Sequence, residues 1–415
     1  MTMASLEEMG ARAQSAARAL RVETSARKRD SLLASASALE TASVEILGAN
    51  AQDVAAAGGA GVSETVIDRL RLSRDRIAQM AESMRTIANL PDPAGEVVEG
   101  RVLANGLKVR RVRVPLGVVG IVYENRPNVT ADAAALCVRS GNAVMLRGSA
   151  GAISSNRAIA KAIREAIASV GLPADSVQLV EDTRHETVTE FVKLRGVIDC
   201  LVPRGGPTLV KLVIEEATVP YVIDGDGNCH VFVDATADLD MAERIVVNAK
   251  MQRPSVCNAM ETLLVHEAIA PIALPRFAAA LEGVELVGDE QTMAILPGVA
   301  KASEEDYATE FLALKLAIGV VSDLDGAIAH ITRYSSGHSE AIITNDLQNA
   351  RRFVDEVDSA AVLVNASTRF VDGAELGLGA EIGISTQKLH TRGPMGLREL
   401  TTVKYVIVGD GHIRA

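Results

Sequence analysis

Apolar residues recur near helical spacing through residues 5–90, where Leu32, Leu33, Leu39, Val44 and Leu47 stand among Ala, Arg and Glu. That period predicts a helical N-terminal region. Near Val102 the pattern changes to short β-prone runs. Val102-Leu103-Ala104 and Leu107-Lys108-Val109 flank Asn105-Gly106, a pair that signals a two-residue hairpin turn. Lys108, Arg110, Arg111 and Arg113 alternate with Val109, Val112 and Pro115, so one face of this ribbon is charged.

A strand–helix alternation follows. Strands are predicted at Gly117–Tyr123, Ala143–Leu146, Ser176–Val180, Val197–Val202 and Val219–Ile223. Helices are predicted at Val129–Arg139, Ile153–Ser169, His185–Leu194 and Thr208–Ala217. This rhythm implies a parallel sheet with right-handed crossovers and helices on both faces. A second α/β block starts near Val231. It has strands at Glu261–Val265, Ile318–Val321, Ala341–Thr344 and Ala361–Val364, and a helix through Ile269–Leu281. A Gly-rich stretch from Gly373 to Gly396 leads to the β-prone run Thr401–Val408. No flexible tether joins the two blocks, so the expected ligand site is a cleft between them.

Composition narrows this picture. The 415 residues are 48% hydrophobic but only 3% aromatic, with no Trp. The cores must therefore be built from Ala, Val, Leu and Ile, as in buried parallel sheets. A net charge of −11 without a Lys/Arg cluster argues against nucleic acid as a partner. It leaves room for a local basic pocket and an anionic substrate. Glu7 and Glu8 in an N-terminus without an apolar core argue against a signal peptide. No apolar run approaches the ~18 residues of a membrane span. Cys137, Cys200, Cys229 and Cys257 include no close pair, which suits reduced thiols in the cytosol.

Cys257 is the best nucleophile candidate. Gln252-Arg253-Pro254-Ser255-Val256-Cys257-Asn258 ends a predicted helix and precedes a strand, which sets the thiol at the mouth of a domain. A thiolate there attacks acyl carbons. The competing reading is a small buried hydrophobe. Cys137 and Cys200 lie in apolar runs and read as packing residues. Cys229 adjoins His230, but neighbours on a strand face opposite ways, so Cys229 also reads as structural. No Cys-x-x-Cys or His-Glu-x-x-His occurs, which argues against zinc. Asp224-Gly225-Asp226-Gly227-Asn228 fails as a calcium loop, because Cys229 and Ala235 occupy the positions of its Gly and Glu. No Walker A sequence or Gly-x-Ser-x-Gly elbow is present. Pro203-Arg204-Gly205-Gly206 fits either a phosphate-cradling loop or a tight βα turn. Arg147, ending another strand at the same edge, fits either a ribose-phosphate contact or a solvated strand end.

Several longer motifs occur together and in order: Pro115–Asn128 (PLGVVGIVYENRPN), Ser140–Gly148 (SGNAVMLRG), Val202–Gly206, Gly227–Asp234, Asn248–Glu261, Gly337–Thr344, Gly379–Thr386 and Gly393–Gly396. In these the chain resembles the γ-glutamyl phosphate reductases, or glutamate-5-semialdehyde dehydrogenases, of the aldehyde dehydrogenase superfamily, over nearly its whole length. The resemblance implies an α/β, aldehyde dehydrogenase-like fold with three parts. Residues 1–100, 116–230 and 349–372 would form a Rossmann-type cofactor domain and 231–348 an α/β catalytic domain. Residues 101–115 and 373–415 would form a β oligomerisation flap.

The resemblance also implies the chemistry. NADPH would reduce L-glutamyl 5-phosphate to L-glutamate 5-semialdehyde and phosphate, the second step of proline biosynthesis from glutamate. Cys257 inherits the nucleophile's role and Asn125 that of the oxyanion-hole amide. Pro203–Gly206 would hold the cofactor pyrophosphate, Arg147 would lie near the adenosine ribose, and Glu381 would meet the nicotinamide ribose. Arg126 and Arg253 flank Asn125 and Cys257. They are either anchors for the two anionic groups of the substrate or structural residues. The loop before Asn228 departs from the family in carrying Asp224 and Asp226. A separate glutamate 5-kinase would supply the acyl phosphate, with direct channelling left open. No metal is expected, and a cytosolic homo-oligomer is. Two rival readings are a hydrolytic aldehyde dehydrogenase and a cofactor-free cysteine acyltransferase. The first needs a base motif that is not found here, and the second usually pairs Cys with His.

Overall fold

The structure, a computed structural model, describes residues 4–414. Packing divides the chain into two units. The first comprises residues up to Ile223, Gly377–Gly383 and the stretch from Met395 onward. The second comprises Asp224–Leu376 and Ile384–Pro394.

The first unit opens with α1 (Leu6–Arg21), α2 (Ser25–Thr41), α3 (Ser43–Gly59), α4 (Glu64–Leu70) and α5 (Arg74–Asn89). A capping box starts α1. Ser5 Oγ accepts from Glu8 N–H, and Glu8 Oε2 accepts from Ser5 N–H, satisfying two otherwise orphaned donors. Leu32 and Leu39 are buried, and Leu33 and Leu47 pack against the same core. Val44 departs from the expected stripe. It lies in the first turn of α3 and is 71% exposed.

The hairpin of β1 (Val97–Val102) and β2 (Lys108–Pro115) turns differently from the expected two-residue loop. Leu103 N–H bonds Leu107 O at 2.8 Å, and Gly106 N–H bonds Leu103 O at 2.8 Å. The loop is thus Ala104-Asn105-Gly106, with Gly106 at φ 91°. This is the three-residue form, which needs a left-handed residue in its last position.

A four-stranded parallel sheet follows: β3 (Val118–Tyr123), β4 (Ala143–Gly148), β5 (Val177–Leu179) and β6 (Cys200–Arg204), in the order β5-β4-β3-β6. The helices α6 (Asn128–Arg139), α7 (Ile153–Ser169), α8 (His185–Phe191) and α9 (Pro207–Glu216) alternate with these strands. Every residue of β3 and β4 is buried, which is why both read as unbroken apolar runs. The strand expected at Val219–Ile223 shrinks to one bridge between Leu201 and Tyr221. Pro220 accepts from Leu201 N–H at 2.8 Å but has no N–H with which to extend a ladder.

The second unit is built on a seven-stranded sheet in the order β10-β9-β11-β8-β7-β12-β13. Its strands, all parallel, are β7 (Cys229–Val233), β8 (Met260–His266), β9 (Glu285–Gly288), β10 (Ala300–Lys301), β11 (Lys315–Val321), β12 (Ser339–Ile343) and β13 (Ala361–Val364). The helices are α10 (Leu239–Met251), α11 (Ala270–Ala280), α12 (Glu290–Ile295), α13 (Glu304–Ala308), α14 (Leu324–Tyr334) and α15 (Leu347–Glu356). Alternate strand residues feed two cores. Val231 and Leu263 join Leu274 and Phe277, whereas Phe232 and Leu264 join Ile331 and Phe353. Because α15 and β13 complete this sheet, residues 349–372 pack in the second unit and not with the Rossmann-type sheet to which the resemblance assigned them.

A short antiparallel pair, β14 (Ile384–Ser385) with β15 (Gly393–Pro394), also belongs to the second unit. The chain then returns to the first unit, where β16 (Thr401–Val408) pairs antiparallel with β2, from Thr401 opposite Pro115 to Val408 opposite Lys108. The result is a three-stranded sheet, β1-β2-β16, made from the two segments singled out in the sequence. Among the described residues no single helix is long and apolar enough to cross a membrane. The bent pair α2–α3 passes by length and composition alone.

Candidate active site

In the first unit, the C-terminal ends of adjacent parallel strands gather several of the candidate residues. Tyr123 lies opposite Gly148 on one side and Arg204 on the other. Asn125, Arg147 and Pro203–Gly206 therefore share one sheet edge, where ligands of such folds bind. Asn125 adopts φ 43°, a left-handed conformation that Asn tolerates better than most side chains. It is held reciprocally by Ser149. Asn125 N–H donates to Ser149 Oγ at 3.1 Å, and Ser149 O–H donates to Asn125 Oδ1 at 2.9 Å. With Oδ1 engaged as acceptor, the Nδ2 end is the donor edge of this amide.

The loop after β6 is built for close backbone approach. A side chain at Gly205 would meet Leu209 Cδ2 at 2.6 Å and the Glu124 carboxyl at 2.8 Å. Gly206 is the N-cap of α9, with Pro207 in its first turn. Glu124 Oε2 accepts from Gly206 N–H at 2.9 Å, so a carboxylate engages an amide at the loop where a phosphate would seat. Leu209 and Glu124 fill the space a side chain at position 205 would need, and the Glu124 carboxylate takes the Gly206 amide. Arg147 is only 6% exposed and donates to the carbonyls of Gly148 at 3.2 Å and Arg184 at 2.8 Å. Burial lowers its pKa, against the pull of Asp182. Arg126 and Glu381 are both half-buried in this unit.

In the second unit Cys257 is partly exposed, in the loop between α10 and β8. Pro254 sets that loop's start. It removes an N–H and disfavours helix at the preceding residue, and α10 ends at Met251. The loop's two ends are pinned by a buried pair, Lys250 Nζ to Glu261 Oε2 at 2.5 Å. Burial pushes the Glu261 carboxyl up to about 7 and pulls Lys250 down. Removing either partner of such a pair costs about 3–5 kcal/mol.

The main chain at Cys257 is gripped from below. Cys229 S–H donates to Cys257 O at 3.1 Å, and burial holds the Cys229 thiol well above its ordinary pKa. Cys229 is fully buried, with His338 Nδ1 3.7 Å from its sulfur. Gly227 Cα lies so close that an added Cβ would fall 1.6 Å from Cys257 O. Glu310 Oε1 accepts from Gly227 N–H at 2.9 Å, and burial keeps this carboxyl above the usual carboxylate range. Asn258 Nδ2 donates to Val371 O at 2.9 Å.

Arg253 is exposed in the same loop. A second cation went unnoticed in the sequence. Arg369 donates from Nε to Gln252 Oε1 at 2.8 Å. Its pKa is lowered first by burial, and both Arg253 and Cys257 act on it electrostatically. Ser149 and Arg369 carry no periodic or motif signal of their own, and Glu124, although inside the Pro115–Asn128 motif, gives no sign there of its partner. Each acquires its partner through tertiary contact.

A profile of the aldehyde dehydrogenase family matches residues 1–309. A γ-glutamyl phosphate reductase of Thermobifida fusca is 57% identical over 93% of both chains. One of Carboxydothermus hydrogenoformans is 55% identical over 97% of this chain and 98% of its own. The crystal structure of γ-glutamyl phosphate reductase from Thermotoga maritima superposes with a TM-score of 0.97. It is 48% identical and covers 99% of this chain and 100% of that one.

The chain belongs to the γ-glutamyl phosphate reductases of the aldehyde dehydrogenase family.

Proposed function

We propose that this chain catalyses the NADPH-dependent reduction of L-glutamyl 5-phosphate to L-glutamate 5-semialdehyde and phosphate, through a thioester on Cys257. The observation that carries this reading is the partly exposed Cys257 on a main chain clamped by Cys229 and Gly227, in a chain of this family. The Cys257 thiolate attacks the acyl carbon, the C–O bond to phosphate breaks, and phosphate leaves with the electron pair. Asn125 Nδ2 and the Cys257 N–H take the role of oxyanion donors, each worth roughly 3 kcal/mol. NADPH, when bound, supplies the hydride that reduces the thioester carbon. Cys257 then leaves as thiolate and frees the aldehyde. Pro203–Gly206 holds the cofactor pyrophosphate, Arg147 serves the adenosine end and Glu381 the nicotinamide ribose. Arg126, Arg253 and Arg369 supply charge for the substrate's anionic groups. The acyl phosphate comes from a separate glutamate 5-kinase, and the reaction is cytosolic.

The direct test runs the reaction backwards. Glutamate 5-semialdehyde, inorganic phosphate and NADP+ should together give the absorbance of reduced cofactor, and omitting phosphate should stop it. Oxidation without phosphate would replace this reading with the hydrolytic one. Thioester chemistry in the absence of any nicotinamide cofactor would favour the acyltransferase.

Ser149→Ala is expected to lower kcat roughly 10- to 100-fold, because the Asn125 amide loses the partner that fixes it. The KM for NADPH should change little. Equal losses in kcat and cofactor affinity would show that Ser149 only shapes the strand end.

The sheet β1-β2-β16 leaves two edges, and Val97, Val102, Tyr405 and Ile407 are at least half exposed. Such edges favour pairing with a second copy, so a homo-oligomer assembled through this sheet is part of the reading. Deleting residues from Thr401 onward should yield a monomer in sedimentation that still binds NADPH. An unchanged oligomer would rule the sheet out as the interface.

A further inference from the structure

The cofactor reading raises a question that Arg147 does not answer: which side chain distinguishes NADPH from NADH by its 2′-phosphate. Arg147 is 6% exposed, its Nη1 and Nη2 donate to main-chain oxygens, and its Nε is buried without a partner. A guanidinium placed so deep and spent on carbonyls presents no planar fork to a phosphate. What Arg147 does hold is the loop after β5, through the carbonyl of Arg184.

Arg184 itself has the opposite character. Its side chain is 71% exposed. Asp182 grips one edge of the guanidinium. Nε lies 3.0 Å from both Oδ1 and Oδ2, Nη2 lies 2.5 Å from Oδ2, and the Arg184 N–H donates to Oδ1 at 3.1 Å. These bonds hold the Asp182 carboxyl well below the usual carboxylate range. With the Nε edge fixed, Nη1 is left at the outer end of a preorganised fork, the geometry that suits bidentate phosphate recognition. Arg184 also lines a cavity of about 1050 Å³ within the first unit, where Arg12, Arg157 and Lys161 stand among Glu165, Glu181 and Glu190. The loop sits at the correct edge, since β4 and β5 are parallel neighbours with Leu146 opposite Leu179. In doubly wound folds an acidic residue binds the ribose diol of NAD, whereas an arginine nearby accepts the extra phosphate of NADP. Here the acid is occupied by the arginine.

We infer that Arg184 reads the 2′-phosphate of the cofactor, with Asp182 and Arg147 as positioning residues that fix its guanidinium and its main chain. This inference rests on the nicotinamide-cofactor reading above.

Calorimetric titration of the full chain with NADP+, NAD+, 2′,5′-ADP and 5′-AMP tests it without relying on turnover. The wild type should prefer the two 2′-phosphorylated ligands. Arg184→Ala should weaken those two by roughly 10- to 150-fold, the value of a charged hydrogen bond, and change NAD+ and 5′-AMP by less than about threefold. Arg184→Lys should restore part of the loss and Arg184→Gln little of it. Arg147→Ala should lose part of the preference for the 2′-phosphorylated ligands, because it fixes the Arg184 main chain. If the Arg184 variants keep the wild-type ratio while Arg147→Ala loses it, the assignment to Arg184 is overturned and the cofactor reading survives. A wild-type chain that does not prefer 2′-phosphorylated ligands defeats the NADPH reading, and the role of Arg184 falls with it. Melting curves of Arg184→Lys and Arg184→Gln check that the fold is intact, so a misfolded alanine variant does not decide the matter.

Discussion

Cys257→Ser is expected to reduce turnover below roughly a thousandth of the wild-type rate, the scale seen when a covalent nucleophile is removed. A serine hydroxyl is a far weaker nucleophile than a thiolate at neutral pH, because so little of it ionises. Cys229 and Gly227 grip this residue at its main chain: its carbonyl oxygen accepts from the Cys229 thiol and packs on Gly227. The loop should keep its course, and cofactor affinity should stay within about twofold. The checks are NADPH consumption with acyl phosphate and NADPH titration of the same preparation. A variant retaining even a few per cent of turnover would defeat the thioester mechanism.

Gly227→Ala is the second large effect. Its Cβ would fall 1.6 Å from Cys257 O, 2.3 Å from Cys257 C and 2.6 Å from Cys257 Cα. All three are main-chain atoms, so no rotamer change relieves the overlap. Gly227 cannot retreat easily either, since its N–H is held by Glu310 and its carbonyl accepts from Cys229 N–H at 2.9 Å. The Cys257 peptide must shift, and a displacement near 1 Å at a reacting centre costs about 100-fold in rate. Overpacking should also cost about 1–3 kcal/mol of stability. Gly58→Ala is the matched control. Gly58 lies in α3 with no atom within 4 Å of an added Cβ, so alanine there should stabilise by roughly 0.4–1 kcal/mol. The comparison needs turnover, the rate of Cys257 alkylation and melting temperature for both variants. Wild-type alkylation and turnover in Gly227→Ala would mean that the grip on the nucleophile's main chain has no catalytic weight.

What the sequence revealed and what it hid follow from the range of the interactions involved. Strands buried on both faces, such as β3 and β4, announce themselves as unbroken apolar runs. Thr401–Val408 was also bounded correctly, by its β-prone composition. The stretch 282–308 shows no element in the sequence, because β9 and β10 are only four and two residues long. Runs that short carry no period to detect. Asn105-Gly106 located the hairpin but not its loop length, since Gly fits the left-handed position of either turn. Cys257 and the Gly205-Gly206 loop were visible locally, because Pro254 and the paired glycines leave local marks. Glu124, Ser149 and Arg369 were not. Glu124 meets Gly206 across 82 residues and Arg369 meets Gln252 across 117, so only folding brings each to its partner.

The first unit has a further consequence for biosynthesis. Its hydrophobic core includes Ile382, Met395, Leu397 and Leu400 beside Leu20, Val119, Leu136 and Leu146. Arg113 on β2 waits for Thr401, 288 residues later. A chain emerging from the ribosome folds its early segments first, and loop closure over such spans delays pairing. The second unit, although made later, has nearly all of its residues by Leu376, while the older first unit still lacks part of its core and the neighbour of β2. The nascent first unit therefore carries an open strand edge and a gap among its leucines until Leu397, Leu400 and β16 have been made. Truncation before Leu397 would damage the half of the protein that was translated first.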